Sequence, residues 1–267
     1  MIIDGRHIAK TLELTLSQEL SRLPKKRVAF LLFGNDPSSI QFIGIKSRVA
    51  ARIGIHTETF QYEDINSTES ALEKIEEITS NHFDGIVIQL PLPAGIDTHT
   101  ILNSIPAELD IDVLGDEAKS HYESSSSHKV PPVAKAVQEI LTSVNINLTE
   151  KKILIVGNGK LVGEPVGMML SHEGIMFDVV NKSTDEIIRN EIIRNADIII
   201  SGVGIPHLIK PDMIKSGVVL IDAGTSEQSG KLAGDIDPDC SEVASYITPV
   251  PGGVGPITVV ALFKNLL

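Results

Sequence analysis

The chain has 267 residues, a formal net charge of −12 and a sequence pI of about 5.1. This acidic balance, without a long Lys/Arg cluster, argues against a general nucleic-acid binder, which needs a basic face. No apolar run reaches the roughly 18 residues that cross a bilayer, and the start "MIIDGRHIAK" lacks the pattern of a secretory signal. Cys240 is the single cysteine, which excludes an intramolecular disulfide and a cysteine-rich zinc site, so we expect a cytoplasmic protein.

In the first half of the chain, short apolar runs alternate with longer runs of helical periodicity. The sequence predicts three strands, "RVAFLLF" (27–33), "HTETFQY" (56–62) and "DGIVIQL" (84–90). It predicts helices over 37–54, 67–81 and 97–104. Ser38 or Ser39 is expected to cap the first of these helices and Gly54 to end it, while Ser67 caps the second. The serine-rich segment 118–132 is expected to be a flexible surface loop, followed by a helix near 133–144.

A second alternating series begins after that helix. Its predicted strands are "KKILIVG" (151–157), "FDVVN" (177–181), "DIIISGVG" (197–204) and "GVVLIDAG" (217–224), and its predicted helices span 161–174 and 183–196. Strand–helix alternation indicates parallel sheets covered by helices. We therefore predict the α/β class, with two domains and a cleft between them, which is a common place for ligands.

A glycine-rich turn separates the first strand of the second series from its helix. In "ILIVGNGKLVGEP", Gly157 and Gly159 permit close backbone approach, and the following helix N-terminus would offer N–H groups to a pyrophosphate. The spacing G-x-G-x-x-x-G is one residue longer than the usual dinucleotide fingerprint, and a plain tight turn remains the alternative. The strand before it and the helix after it favour a nucleotide.

The end of the second strand of this series bears on which nucleotide is bound. NAD enzymes usually place an acid there to hold the ribose hydroxyls, but this chain has Asn181, Lys182 and Ser183. Lys182 suits a 2′-phosphate, which favours NADP. Alternatively, Ser183 or Thr184 caps the next helix while Lys182 is solvated, and both readings are compatible.

One lysine lies where a predicted helix is otherwise apolar. On a helical projection, Lys46 lies roughly 40° from Phe42 and roughly 20° from Ile53. Lysines normally avoid such a stripe. From the residues alone, a lysine whose apolar stem packs while its amine reaches water is the simpler interpretation.

Four stretches together point to a family. They are "IIDGRHIA" near the start, "DGIVIQLPLPAGID" (84–97), "VGNGKLVGEP" (156–165) and "ITPVPGGVGPITV" (247–259). In this order they resemble the methylenetetrahydrofolate dehydrogenase/cyclohydrolase family, the bacterial FolD proteins, from residue 2 to the end of the chain. The family oxidises 5,10-methylenetetrahydrofolate with NADP and then hydrolyses the methenyl product to 10-formyltetrahydrofolate, without a metal.

The resemblance also implies an organisation and a setting. It implies a folate-binding catalytic domain at 1–132, completed by a C-terminal helix at 256–267, and a Rossmann-type NAD(P)-binding domain at 133–255. It implies NADP as cofactor, with NAD as the alternative, tetrahydrofolate derivatives as substrates, and a homodimer. The expected setting is one-carbon metabolism and purine biosynthesis.

The resemblance assigns roles to residues around the out-of-place lysine. Lys46 matches the family's catalytic lysine, which would sit in apolar surroundings with a lowered pKa and act as a general base or proton shuttle. Gln89 matches the glutamine that hydrogen-bonds this lysine, and Asp112 matches the acid that holds the pterin ring. Phe42 would stack on the substrate, and the turn at Pro251, Gly252, Gly253 and Val254 would pass close to the flat folate. The implied cofactor residues are Gly157, Asn158, Gly159, Val162, Lys182, Ser183 and Thr225.

Four departures from the family pattern matter: "PPVAKA" (131–136), which replaces a stretch with a Thr-Pro pair and a glycine, and three at site residues. Phe42 replaces a tyrosine, so a hydroxyl is missing, and we expect the hydrolysis to be impaired more than the hydride transfer. Val113 replaces a glycine after the pterin acid. A β-branched residue avoids φ > 0, which glycine adopts easily. We therefore expect the backbone of the Asp112 loop to differ from that of the family, unless the family glycine does not have a positive φ. Asn158 replaces an arginine that would clamp a phosphate, so the preference for NADP rests on Lys182.

Three rival functions are left open at this point. One is a member of the family that is only a dehydrogenase, and another is a relative that binds folate and nucleotide without catalysis. The third is a two-domain dehydrogenase for another small substrate, such as a shikimate-like acid, which would have no use for "QLPLP" or "PVPGGVGP".

Overall fold

The computed structural model describes residues 1–228 and 231–267, without the side chains of residues 227, 228 and 231. The chain divides into two compact units. We call Thr11–Pro132 with Val259–Leu267 the lysine unit, and Met1–Lys10 with Val133–Thr258 the glycine-loop unit. Among the described helices, none combines the length and the apolar character that a membrane crossing requires.

Helices and strands alternate along most of the chain. The described helices are α1 (Gly5–Leu20), α2 (Pro37–Arg52), α3 (Thr68–Thr79), α4 (Thr98–Leu102), α5 (Asp116–Glu123), α6 (Pro132–Ser143), α7 (Gly163–His172), α8 (Glu186–Asn195) and α9 (Val254–Lys264). The described strands are β1 (Arg27–Phe33), β2 (His56–Tyr62), β3 (Gly85–Ile88), β4 (Ile153–Val156), β5 (Phe177–Val180), β6 (Ile198–Ser201), β7 (Val219–Asp222), β8 (Ser226–Gln228), β9 (Lys231–Ala233) and β10 (Tyr246–Ile247). Two 3-10 helices cover Pro211–Met213 and Pro238–Glu242.

The sheet of the lysine unit has three parallel strands in the order β2-β1-β3. The central strand β1 is buried from Val28 to Phe33, as expected for a parallel strand that helices cover on both faces. The chain leaves β1 toward one side, to β2, and then crosses to the other side, to β3. In sheets of this kind, ligands bind outside the carboxyl ends of the strands where the winding reverses, here between β1 and β3.

The sheet of the glycine-loop unit has five parallel strands in the order β10-β7-β6-β4-β5. Its winding reverses between β4 and β6, so the carboxyl ends of these two strands flank the expected ligand crevice. A separate antiparallel hairpin joins β8 and β9. This doubly wound arrangement confirms the predicted α/β class and the nucleotide-binding type of the second half, although the short edge strand β10 was not foreseen.

Helix α2, which carries Lys46, begins at Pro37 and is terminated at Gly54 as expected, but its N-cap is a different residue. Its N-cap is Asp36, not Ser38 or Ser39, because the Asp36 carboxylate accepts the Ser39 N–H at 2.7 Å and Pro37 starts the helix. The helix ends at Arg52, and Gly54 follows with φ +83°. The Ile55 N–H returns to the Ala50 carbonyl at 2.9 Å, which completes a Schellman motif.

The expected loop at 118–132 is wrong over its first part, which is helical, while residues 124–131 belong to no helix or strand. Residues Asp116–Glu123 form α5, with Asp116 and Glu117 in its first turn and His121 in its last, a charge order that complements the helix dipole. Farther along, Lys129 is buried, and the Val130 N–H donates to Asn265 Oδ1 at 3.0 Å. The serine run suggested a solvated loop, but the residues on both sides of it are fixed.

Helix α8 is also capped by a residue other than those expected. Asp185 is its N-cap and accepts the Ile187 N–H at 2.9 Å. Ser183 and Thr184 instead bond to Asn181, through Asn181 Oδ1 at 2.6 Å and the Asn181 N–H at 3.0 Å. The capping alternative for Ser183 and Thr184 is therefore wrong, and this turn at the end of β5 is closed by Asn181.

The tight turn between β4 and α7 yields a prediction about stability. A Cβ on Gly163 would lie 2.0 Å from the backbone oxygen of Gly157, whereas a Cβ on Gly159 would meet nothing within 4 Å. We expect Gly163→Ala to lower the free energy of unfolding by about 1 to 3 kcal/mol or more, because a backbone contact cannot yield cheaply. The matched Gly159→Ala change is expected to stay within about 0.5 kcal/mol of the parent. Urea unfolding followed by circular dichroism measures both, and equal stabilities of the two variants would contradict the tight turn.

Candidate active site

The amine of Lys46 lies against the amide of Gln89. Lys46 is on α2, and its Nζ donates to Gln89 Oε1 at 3.1 Å. Gln89 is 7 % exposed, so the amine is engaged with a buried group. The simpler interpretation, in which the head group of Lys46 extends into water, therefore does not describe this lysine.

Gln89 is fixed at both its backbone and its side chain. It follows β3 directly, and its N–H still donates to the Leu31 carbonyl of β1 at 2.9 Å. Its Nε2 donates to the Leu90 carbonyl at 2.7 Å. Since a carbonyl can only accept, the amide nitrogen must face Leu90 and the amide oxygen must face Lys46. The β1/β3 reversal point thus presents an acceptor of defined orientation to the amine.

Asp112 and Lys46 act on each other electrostatically. Burial lowers the pKa of Lys46, and the negative charge of Asp112 opposes part of that shift. Burial likewise raises the pKa of Asp112, opposed by the charge of Lys46. The two groups are therefore close enough to act on each other, and desolvation is the larger effect on each. A parallel bridge between Ile86 and Asp110 brings the Asp112 loop alongside β3, a contact that no sequence pattern indicated.

Phe42 and Ser39 flank the lysine on α2. Phe42 lies one turn before Lys46 and is 38 % exposed, so its ring is available to a ligand instead of being committed to the core. Ser39 is 1 % exposed, and its Oγ is the only buried side-chain polar atom in the described part of the chain without a hydrogen-bond partner. Sequence reasoning considered Ser39 only as a helix cap and missed this buried hydroxyl.

The backbone of Val113 adopts the left-handed conformation that a β-branched residue was expected to avoid. Its φ is +55°, although it is β-branched and 0 % exposed. The physical reason is that the buried carboxylate of Asp110 accepts the Val113 N–H at 2.8 Å and overrides the local preference. The loop therefore keeps the positive φ that a glycine would supply. Asp110 was not among the predicted site residues.

The glycine turn of the other unit forms a tight cradle at the β4/β6 reversal point. Gly157 has φ +91°, and a Cβ there would lie 2.3 Å from Val203 Cγ1. Asn158 and Gly159 are exposed, and Val162 directly precedes α7 as its N-cap residue. The space around Gly159 and the start of a ten-residue helix suit a dinucleotide pyrophosphate. These residues therefore fit an NAD(P) cofactor.

The other predicted cofactor residues lie on the same unit. Lys182 and Ser183 are exposed in the turn after β5, where dinucleotide-binding folds hold the ribose. Thr225 is exposed between β7 and β8. Each side chain is thus accessible to a ligand.

The turn at Pro251, Gly252, Gly253 and Val254 has a packing explanation of its own. A Cβ on Gly5 would lie 1.8 Å from the Gly253 oxygen, and Gly252 has φ +112°. The glycines therefore let this turn press against the start of α1, while Val254 is buried as the first residue of α9. This packing accounts for the glycines without a ligand, so contact with folate stays a prediction.

Comparisons with known proteins cover the whole chain. The family "Tetrahydrofolate dehydrogenase/cyclohydrolase, catalytic domain" matches residues 3–112, and its "NAD(P)-binding domain" matches residues 131–267. The Bifunctional protein FolD of Hydrogenobaculum sp. is 34% identical over 271 residues, which cover 100% of this chain and 97% of the relative.

Solved structures agree with the sequence relatives. The bifunctional FolD enzyme of Campylobacter jejuni has a TM-score of 0.92 at 30% identity and covers 100% of this chain and 96% of its own. The Trypanosoma brucei N5,N10-methylenetetrahydrofolate dehydrogenase-cyclohydrolase, complexed with NADP cofactor and inhibitor, has the same TM-score and identity, with coverages of 100% and 95%.

Proposed function

We propose that Lys46 is the residue that accepts and donates protons in the hydrolysis catalysed by this chain, which belongs to the tetrahydrofolate dehydrogenase/cyclohydrolase family. The family activity is the oxidation of 5,10-methylenetetrahydrofolate with NAD(P), followed by hydrolysis of the methenyl product. The observation that carries the role of Lys46 is its hydrogen bond to Gln89, together with burial that lowers its pKa.

In the hydrolysis, water attacks the methenyl carbon and must lose a proton as the new C–O bond forms. A lysine amine that is partly neutral near neutral pH can accept this proton, whereas an ordinary ammonium cannot. Lys46 is suited to this because its charge is disfavoured by burial. As the bond from this carbon to N5 of the folate breaks, the amine gives its proton to N5. The hydroxyl derived from water loses its second proton to solvent, which leaves 10-formyltetrahydrofolate.

Gln89 is proposed to orient the amine without adding charge. A neutral amide accepts the Lys46 hydrogen bond at 3.1 Å but does not stabilise the ammonium as a carboxylate would. Asp112 is proposed to hold the pterin, because a carboxylate accepts hydrogen bonds from adjacent N–H groups of such a ring. Phe42 is proposed to stack on the substrate, as its exposed ring permits.

The cofactor accepts the hydride from the methylene carbon and is proposed to be NADP, with NAD as the alternative. Gly157, Asn158 and Gly159 would hold the pyrophosphate, while Lys182 and Ser183 would face the ribose and its 2′-phosphate. Val162 and Thr225 would line the same site. Asn158 cannot clamp a phosphate as an arginine would, so the choice between the two cofactors depends on Lys182.

The organisation of the protein is part of the proposal. We propose a folate-binding domain at 1–132 with the helix at 256–267, and a nucleotide domain at 133–255. The compact units support the boundary after Pro132 and the return of Val259–Leu267 to the first domain, but they group Met1–Lys10 with the nucleotide domain. A homodimer and a cytoplasmic location are proposed from the family and its bacterial members. Light scattering of the purified protein tests the dimer.

We expect Lys46→Met to abolish catalysis of the hydrolysis, a loss of about 100- to 10,000-fold, because the group proposed to take the proton is removed. Binding of the folate should remain measurable by calorimetry. The assay follows 5,10-methylenetetrahydrofolate with NADP or NAD at both the nicotinamide and methenyl absorbance bands. The matched control is Arg48→Met, an exposed cation on the same helix, which should behave like the parent. Normal ring opening in Lys46→Met would refute the role.

We expect Phe42→Tyr to leave the hydrolysis unchanged or to raise it, because the ring is kept and a hydroxyl is added beside the exposed face. The ratio of methenyl decay to nicotinamide reduction, measured in the same cuvette, reports this directly. A marked fall in methenyl decay would show that the pocket is built around the phenyl ring.

The same assay on the parent protein separates the alternative functions. A parent that reduces nicotinamide but lets the methenyl product accumulate would be a dehydrogenase only. A parent that binds both ligands without turnover would be the non-catalytic relative.

A further inference from the structure

The loop that carries Asp112 is organised around one buried carboxylate. Asp110 Oδ1 accepts the N–H groups of Asp112 at 3.1 Å and Val113 at 2.8 Å. Asp110 Oδ2 accepts those of Leu114 and Gly115, each at 2.9 Å. Four consecutive N–H groups therefore converge on one side chain, which is 5 % exposed.

This convergence requires an unusual backbone. Four successive N–H groups point to one side only if the chain curls, and Val113 is the residue that curls, with φ +55°. For a β-branched residue this conformation is strained and persists only when its surroundings impose it. The carboxylate of Asp110 is the group that imposes it, since two of its four bonds lie at Val113 and its preceding neighbour.

The residues that lead into this loop are held by other side chains. Asn265 Nδ2 donates to the Ile111 carbonyl at 2.8 Å and to the Val130 carbonyl at 2.9 Å. Lys129 Nζ donates to the carbonyl oxygens of Ala107 and Glu108. These contacts fix the approach to the loop and the backbone at Ile111, whereas the N–H groups of residues 112–115 are held by Asp110.

We propose that Asp110 is a positioning residue of the active site. By holding Val113 in the left-handed conformation, it sets the place of Asp112 relative to Lys46 and to the substrate. This rests on the proposed function for its consequence in turnover, but the positioning itself is a property of the free protein. The oxygens of Asp110 are engaged with four backbone N–H groups, and Asp110 acts through Asp112.

The test begins with Asp110→Asn. An amide offers one accepting atom instead of two, and its NH₂ would face two backbone N–H groups. The left-handed conformation of Val113 therefore loses the hydrogen bonds that impose it. We expect the KM for 5,10-methylenetetrahydrofolate to rise about tenfold to 100-fold as Asp112 is displaced. Because the charge of Asp112 raises the pKa of Lys46, displacing it should lower that pKa further and move the pH profile of hydrolysis to lower pH. The control is Glu117→Gln, an exposed acid on α5, with parent KM and profile.

Rescue separates positioning from a general loss of structure. In Asp110→Asn with Val113→Gly, glycine adopts φ > 0 without strain, so both KM and the pH profile should return toward those of the parent. Val113→Gly alone completes the cycle, and the coupling between the two changes is the measured quantity. If Asp110→Asn does not fold, the double variant with Val113→Gly becomes the test, and the proposal then requires that it folds and binds folate.

Two results would overturn the proposal. One is an Asp110→Asn protein with the KM and pH profile of the parent. The other is a folded double variant that is as impaired as the single one. An NMR titration of the Lys46 amine in the ligand-free protein gives the same comparison without turnover. If the parent shows no folate activity, the proposed function fails, while an unchanged Lys46 pKa in Asp110→Asn would still refute the positioning.

Discussion

The hydrogen bond from Lys46 Nζ to Gln89 Oε1 is the contact on which the rest of the site depends. Burial disfavours the charge on the amine, and a neutral acceptor lets the amine be held in place without restoring that charge. A carboxylate at the same distance would stabilise the ammonium and remove the base. The negative charge that is present, on Asp112, acts against the effect of burial without exceeding it.

The neighbouring loop shows a similar contest between opposed effects. A left-handed β-branched residue such as Val113 costs about 1–3 kcal/mol. A hydrogen bond to a charged acceptor is worth about 1.5–3 kcal/mol, and Asp110 accepts four of them. Four such bonds are of the magnitude needed to hold Val113 in this conformation. Burial of the carboxylate raises the pKa of Asp110, and the N–H groups offset part of that desolvation.

Sequence patterns predicted what depends on periodicity and on family motifs, and failed where one side chain overrides a local preference. The buried strands and the contact between Lys46 and Gln89 were anticipated because apolar runs and "QLPLP" are local signals. The conformation of Val113 was predicted wrongly because it is imposed by Asp110, whose burial no local pattern reveals. The helix at Asp116–Glu123 was missed because the following serines outweighed its well-ordered charges.

The most direct test of the central claim is the pKa of the Lys46 amine in the intact protein. Lysines labelled with ¹³C at Cε report their titration by NMR, and the Lys46 resonance is the one that disappears in Lys46→Met. The desolvated amine described above must titrate below the ordinary lysine value of 10.5. A midpoint at or above that value would show that the amine stays charged, and it would contradict the role of Lys46 as a base.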